Sequence, residues 1–184
     1  YKMKILKFGG TSVGSPERMK KLLDIIDPAE RQIVVLSAVA GTTNSLVEIS
    51  AALLKEEREI GADLIEALYL KYNDFIVELL PAGDFRAQGQ EVVDYHFSFL
   101  RSLANNIFTN IEDKVVLAQG ELLSTTLYHV YLKSINVASV LLPALDFMKI
   151  DAYNEPVIAN ITEELTPLLA NHLDVNIFIT QGFI

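Results

Sequence analysis

Ile33-Val34-Val35-Leu36 is an unbroken apolar run of mostly β-branched residues, too short to be a buried helix. A strand of that kind is apolar toward both faces, which suits the interior of a parallel sheet covered by helices on each side. The flanking segments supply such helices. Met3 to Phe8 reads as a strand that stops at Gly9-Gly10. Ser15-Pro16 then reads as an N-cap with proline at the first helical position. Met19, Leu22, Leu23 and Ile26 form the apolar stripe of a helix over about 16–27.

Beyond a small-residue loop, Ala38 to Asn44, helical periodicity runs from Ser45 to Leu54, and two longer helices are expected on either side of Pro81-Ala82-Gly83. In the second, Val93, Phe97, Leu100, Ala104, Ile107/Phe108 and Ile111 recur at helical spacing and are expected to be buried. Gly120 is read as preceding another helix, Glu121 to about Ser134, with Leu123, Leu127 and Val130/Tyr131 inward. Val137 to Leu142 is the third strand and Val175 to Thr180 the fourth, while Asn160 with Glu163 resembles a capping box opening a helix to about Asn171. The alternation predicts a three-layer αβα sandwich with a mainly parallel sheet. The chain ends just after the fourth strand, at Gln181-Gly182-Phe183-Ile184, where a loop at the carboxyl end of the sheet is expected to begin, so the domain is read as incomplete.

With 15 basic against 24 acidic residues the net charge is −9, and no basic stripe is present, which speaks against a nucleic-acid partner. An anionic ligand must be held by a few placed cations and backbone amides. No stretch approaches the roughly 18 uninterrupted apolar residues of a membrane span. No secretory leader is recognisable either, so no membrane association and a cytoplasmic location are expected. The chain has no cysteine, which excludes a disulfide scaffold, a thiolate nucleophile and a cysteine metal site.

Phosphate chemistry is suggested by Lys7-Phe8-Gly9-Gly10-Thr11-Ser12-Val13-Gly14. Adjacent glycines after a strand let backbone N–H groups approach a bulky anion, and Thr11 and Ser12 add hydroxyls. Gly9 to Gly14 has P-loop spacing, but Ser15-Pro16 stands where that motif needs Lys then Ser/Thr, so it is not a Walker A loop. The lysine precedes the glycines instead, at a strand end where its ammonium must find an anion or water. On pattern alone, a structural turn with a snorkelling Lys7 explains it equally well.

The full string K-F-G-G-T-S-V-G resembles the N-terminal signature of the aspartokinases, within the amino-acid kinase fold. Ser37-Ala38-Val39-Ala40-Gly41-Thr42-Thr43-Asn44 resembles the family's second loop. Gln119-Gly120-Glu121-Leu122-Leu123-Ser124-Thr125 resembles its G-E-x-x-S segment, and Ile179-Thr180-Gln181-Gly182-Phe183-Ile184 the strand before its central glycine-rich loop. The resemblance implies transfer of the γ-phosphoryl of ATP to the side-chain carboxylate of L-aspartate, the first step toward lysine, threonine and methionine. Lys7 would act on the transferring phosphoryl, with Phe8, Gly9 and Gly10 forming the adjoining nucleotide loop. Thr43, Glu121 and, more weakly, Ser37 would bind aspartate, Glu121 through its α-ammonium. Mg²⁺ is implied through phosphates and water, with no protein ligand assigned, and the full-length enzyme is implied to be a homo-oligomer.

Plainer roles exist for two of these residues: Thr43 could cap the following helix with Asn44 as rival, and Glu121 at a helix start would be stabilised by the dipole. His96, His129 and His172 make no metal or nucleophile-base spacing, and Asp146, Asp151 and Glu155 share a loop without a ligand pattern. The family pattern continues past Ile184 with a glycine-rich loop, the nucleotide-base half of the domain and ACT regulatory domains. Residues 1–184 are thus read as the N-terminal part of the catalytic domain, and by themselves are expected to be inactive. The rival readings are the start of a bifunctional aspartokinase-homoserine dehydrogenase and a noncatalytic nucleotide- or amino-acid-binding module.

Overall fold

A computed structural model of the chain describes residues 3–182, apart from Asn154 and the side chain of Asn110; Phe183 and Ile184, the end of the fourth matched segment, lie outside the described residues. Four strands form one sheet in the order β1-β2-β4-β3: β1 Lys4–Phe8, β2 Gln32–Leu36, β3 Ser139–Leu141 and β4 Ile177–Gln181. Every pairing is parallel. The two central strands carry the most apolar sequences. Ile33, Val34 and Leu36 of β2 and Ile177, Phe178 and Ile179 of β4 are all buried.

The helices are α1 Pro16–Lys20, α2 Thr42–Leu54, α3 Arg58–Leu79, α4 Asp84–Ala104, α5 Asn110–Ser134 and α6 Ile158–Ala170. One face of the sheet is covered by α5, which packs on β2, β3 and β4, and α2, α3 and α4 pack beyond it around a large core that includes Leu46, Tyr72, Phe97, Leu123 and Leu127. On the other face Ile33, Phe178, Leu142 and Phe147 meet Ile161, Leu165, Leu168 and Leu169 of α6. The three layers and the parallel sheet are as the sequence predicts. No described helix is long and apolar enough to cross a membrane.

Several boundaries differ, each for a local reason. Ser15 caps α1 by accepting from the Arg18 N–H at 3.3 Å, but the predicted helix over 16–27 becomes a short α-helix followed by a 3₁₀ turn, Lys21–Asp24. Pro28 disfavours helical backbone at Asp27 and stops it. The helix carrying Phe97 ends at Ala104, where Asn105 and Asn106 fold their amides back onto the carbonyls of Arg101 and Ser102 at 3.0 and 2.7 Å. Ile107 and Ile111, expected to be buried, are therefore 84% and 75% exposed.

The largest difference concerns α5. It starts at Asn110, opened by a capping box in which Ile111 N–H donates to Thr109 Oγ1 at 3.2 Å and Thr109 N–H donates to Glu112 at 2.8 Å. Such a box is worth about 1 kcal/mol. Gly120 lies in the middle of this helix, and Glu121 is not at a helix start. The capping box read at Asn160 is absent: α6 begins at Ile158 and no side chain caps it. The third and fourth strands are shorter or shifted by a residue or two, β3 covering Ser139–Leu141 and β4 Ile177–Gln181.

Candidate functional site

The parallel register brings the carboxyl ends of three strands to one edge. Lys7 lies beside Val35 and Phe8 beside Leu36, while Val35 and Leu36 lie beside Thr180 and Gln181. Beyond these ends come the loop Gly9 to Ser15, the loop Ser37 to Gly41 and Gly182. Ligands of open parallel sheets bind at such an edge.

The first loop folds on itself, Ser12 and Val13 N–H donating to the Gly9 carbonyl at 2.9 and 3.2 Å, with Arg18 Nη1 holding the Thr11 carbonyl at 3.0 Å. The N–H groups of Gly10 and Thr11 donate to no acceptor among the described residues. A Cβ on Gly9 would meet nothing within 4 Å, so packing does not demand glycine there. Open space over Gly9 and two consecutive unpaired donors suit the close approach of phosphate oxygens. The Phe8 side chain is buried in the core rather than turned to this edge, and its carbonyl accepts from Ser37 N–H at 3.0 Å. Lys7 is exposed, and its ammonium has no carboxylate partner among the described residues.

The second loop is wedged between the first and α5. A Cβ on Gly10 would stand 3.2 Å from the Ala38 carbonyl, one on Gly14 3.0 Å from Ala40 Cβ, and one on Gly120 2.9 Å from Ala38 Cβ. The mid-helix glycine is thus explained by close approach of α5 to this loop. Gly41, at φ +80, turns the chain into α2 in a conformation that favours glycine. No side chain caps α2, so neither Thr43 nor Asn44 has the capping role. Thr43 sits exposed in the first turn without a hydrogen-bond partner among the described residues, and its N–H and that of Asn44 have no acceptor there. From behind, Lys71 Nζ donates to the Ala40 carbonyl at 3.1 Å and the buried Tyr72 hydroxyl meets Thr42 Oγ1 at 3.0 Å. Burial raises the Tyr72 phenol above its ordinary pKa, so it stays neutral.

Glu121 points from α5 to the end of β4. Its Oε2 accepts from Gly182 N–H at 2.6 Å. A Cβ on Gly182 would lie 3.7 Å from that same oxygen and 3.8 Å from Lys7 Cε, so the lysine and the glutamate flank one point at the strand ends. Ser37 belongs to the same edge through its carbonyl, which accepts from Ser124 Oγ at 2.8 Å. Sequence reasoning missed Ser124, Thr125 and Gln181 as groups that hold this edge; the Ser-Thr pair one turn after Glu121 was the available signal.

The histidines stand apart. His96 Nδ1 pairs with Gln119 Oε1 at 2.7 Å and His129 Nδ1 with Ser139 Oγ at 2.8 Å, both structural contacts. Asp151 Oδ1 accepts the N–H groups of Tyr153 and Glu155 at 2.8 and 3.0 Å and so closes its own turn. No three His, Cys, Asp or Glu side chains come together among the described residues.

The sequence is 30% identical over 184 residues to the lysine-sensitive aspartokinase 3 of Escherichia coli, covering 98% of this chain and 40% of that protein. It is 40% identical over 85 residues to the bifunctional aspartokinase/homoserine dehydrogenase of Haemophilus influenzae, covering 40% of this chain and 10% of that one. Among solved structures, E. coli aspartokinase III in complex with aspartate and ADP superposes with a TM-score of 0.77 at 29% identity, covering all of this chain and 41% of that one. The chain thus spans less than half the length of these relatives. The resemblance to the aspartokinases is borne out over 98% of the chain, and the profile of the amino acid kinase family matches residues 2–184. The chain belongs to the amino acid kinase family.

Proposed function

We propose that these 184 residues are the N-terminal part of the catalytic domain of a cytoplasmic aspartokinase, which transfers the γ-phosphoryl of ATP to the side-chain carboxylate of L-aspartate. The observation that carries this reading is the convergence of Lys7 and Glu121 on Gly182. One supplies a cation for a phosphoryl group and the other an anion for an amino group.

In the reaction a carboxylate oxygen of aspartate forms a bond to the γ-phosphorus while the bond from that phosphorus to the β,γ-bridging oxygen breaks, giving 4-phospho-L-aspartate and ADP. Catalysis of such a step is mostly positioning and charge stabilisation. The Lys7 ammonium stands against the charge on the transferred group. The Gly10 and Thr11 amides, beside the open backbone of Gly9, receive phosphate oxygens. Glu121 holds the α-ammonium of aspartate, and Thr43 with the uncapped first turn of α2 offers donors to a carboxylate. Ser37 supports this edge through its backbone. No three His, Cys, Asp or Glu side chains gather among the described residues, so Mg²⁺ would be held by phosphate oxygens and water and would supply neutralisation of charge on the phosphates.

The test is ADP release by the full encoded protein with aspartate, glutamate and N-acetylglutamate as acceptors. Aspartate-dependent release is expected; release with another acceptor but not aspartate overturns the substrate, and release with none of the three overturns the reading in favour of a noncatalytic binding module. A fused homoserine dehydrogenase is a second reading, consistent with the match of 85 residues to the bifunctional relative. Dehydrogenase activity of the same full-length protein decides it.

A further inference from the structure

Two residues at the end of β4 reach α5 side by side. Gly182 N–H donates to Glu121 Oε2, and Gln181 Nε2 donates to Thr125 Oγ1 at 2.8 Å. Positions 121 and 125 stand one helical turn apart on the same face of α5. The Gln181 amide has only one sensible orientation, because its Oε1 accepts at 2.9 Å from Ala144 N–H, which can only donate. Thr125 is fully buried, and its own hydroxyl hydrogen goes to the Glu121 carbonyl at 2.7 Å, leaving its oxygen to accept from Gln181. Gln181 therefore ties β4, α5 and the segment after β3 together at one point.

We infer that Gln181 and Thr125 are positioning residues for Glu121: their hydrogen bond locks the turn of α5 that carries the carboxylate to the strand end that carries Gly182. This rests on the reading of Glu121 as the group that meets the acceptor's ammonium.

The physical need is plain. Near this turn α5 is seated by Leu123 and Leu127, whose apolar contacts are non-directional and leave the helix free to rotate or slide slightly. Hydrogen bonds are directional and remove that freedom. Ser124 fixes the same turn to the end of β2 through the Ser37 carbonyl, so the two clamps hold Glu121 from both neighbouring strands. In designed sites a binding group left about 1 Å too loose is the commonest failure after non-folding. Gln181 is uncharged, so it sets the position of Glu121 without adding a charge to the site.

The experiment measures steady-state kinetics and thermal denaturation of the full encoded protein carrying Thr125→Val, Thr125→Ser, Gln181→Met and the Val/Met pair. Loss of one such hydrogen bond is expected to raise KM for aspartate by about tenfold. KM for ATP should stay within about twofold, a limit well inside the factor set by one hydrogen bond. Thr125→Ser should keep the wild-type value, and the double variant should be no worse than the worse single variant. A lowered melting temperature with an unchanged aspartate KM in both single variants makes the bond merely structural and overturns the inference. Glu121→Gln separates the two levels. If it raises aspartate KM while neither Thr125→Val nor Gln181→Met does, the positioning role falls and the reading of Glu121 stands. If Glu121→Gln itself has no effect, both fall.

Discussion

Gly120→Ala is expected to destabilise the protein although it removes a glycine from the interior of a helix. On an exposed helix that change gains about 0.8–1.0 kcal/mol. Here the new methyl would stand 2.9 Å from Ala38 Cβ, 3.2 Å from Leu46 Cδ1 and 3.3 Å from Thr42 Cγ2, against a comfortable carbon–carbon separation of about 3.5–4.0 Å. Leu46 can shift its terminal methyl only within a closed core, and Thr42 is held by its hydroxyl contact with Tyr72. Ala38 Cβ moves only with its backbone, which Gly10 approaches from the other side, its Cβ position lying 3.2 Å from the Ala38 carbonyl. Overpacking of this kind costs about 1–3 kcal/mol, which outweighs the gain in propensity. The net loss of about 1 kcal/mol lowers the melting temperature by about 2–4 °C in a domain of this size. Because relief comes from moving the loop Ser37 to Gly41 and with it the first turn of α2 that carries Thr43, KM for aspartate should rise as well. Thermal unfolding followed by circular dichroism, with kinetics on the same sample, gives both numbers. A melting temperature at or above wild type with unchanged aspartate KM would show that the loop yields freely and refute the wedge.

Gly9→Ala is the contrasting case: nothing lies within 4 Å of the added methyl, so the melting temperature should hold or rise slightly, while KM for ATP rises as the methyl intrudes on the phosphate approach. Lys7→Ala should lower kcat far more than it weakens substrate binding, and Lys7→Arg should rescue poorly; wild-type turnover by the alanine variant removes Lys7 from the mechanism. Burial, with Lys133 nearby, pushes the His129 imidazole down to about 4. The unfolded chain therefore binds the extra proton between about pH 6.5 and 4, and stability should fall as pH drops through that window. Denaturant midpoints against pH should be flatter for His129→Gln, and an unchanged slope counts against this assignment.

The strands and the layer order were legible because β2 and β4 are too continuously apolar to face water on either side. The Lys7 loop was legible because its glycines follow a strand. One misreading arose where a long-range contact overrides a local rule, and others where a competing local signal won. Gly120 looked like a helix boundary, and nothing local reveals that Ala38, some eighty residues earlier, needs the missing side chain's room. Ile107 and Ile111 kept the helical period, yet two asparagines that turn their amides onto the backbone end the helix before the period matters. The true cap, Thr109 with Glu112, fits the same sequence rule that was wrongly applied to Asn160 and Glu163. The rule needs a helix start to act on, and α6 starts two residues before Asn160. The clamp through Gln181 was invisible for another reason: it joins residues 56 positions apart by side-chain bonds alone.

The charges at the strand ends also argue for an acceptor that brings its own cation. Lys7, the Gly10 and Thr11 amides and the uncapped turn of α2 are all disposed to receive anions, within a chain whose net charge is −9. A carboxylate at the same edge works against them, since an acceptor that carried only negative charge would be repelled by Glu121, increasingly so as water is excluded. Placing Glu121 there makes sense if the acceptor carries an ammonium. Aspartate does, and N-acetylaspartate does not. The full encoded protein should therefore use aspartate and discriminate strongly against N-acetylaspartate at equal concentration. In Glu121→Gln the kcat/KM for aspartate should fall while that for N-acetylaspartate holds or rises, narrowing the ratio between them. KM for ATP should be unmoved, and because Glu121 sits inside α5 the substitution removes no helix-start stabilisation. Should the ratio stay at its wild-type value, Glu121 does not read the ammonium, and its bond to Gly182 would then serve only to fasten α5 to the sheet.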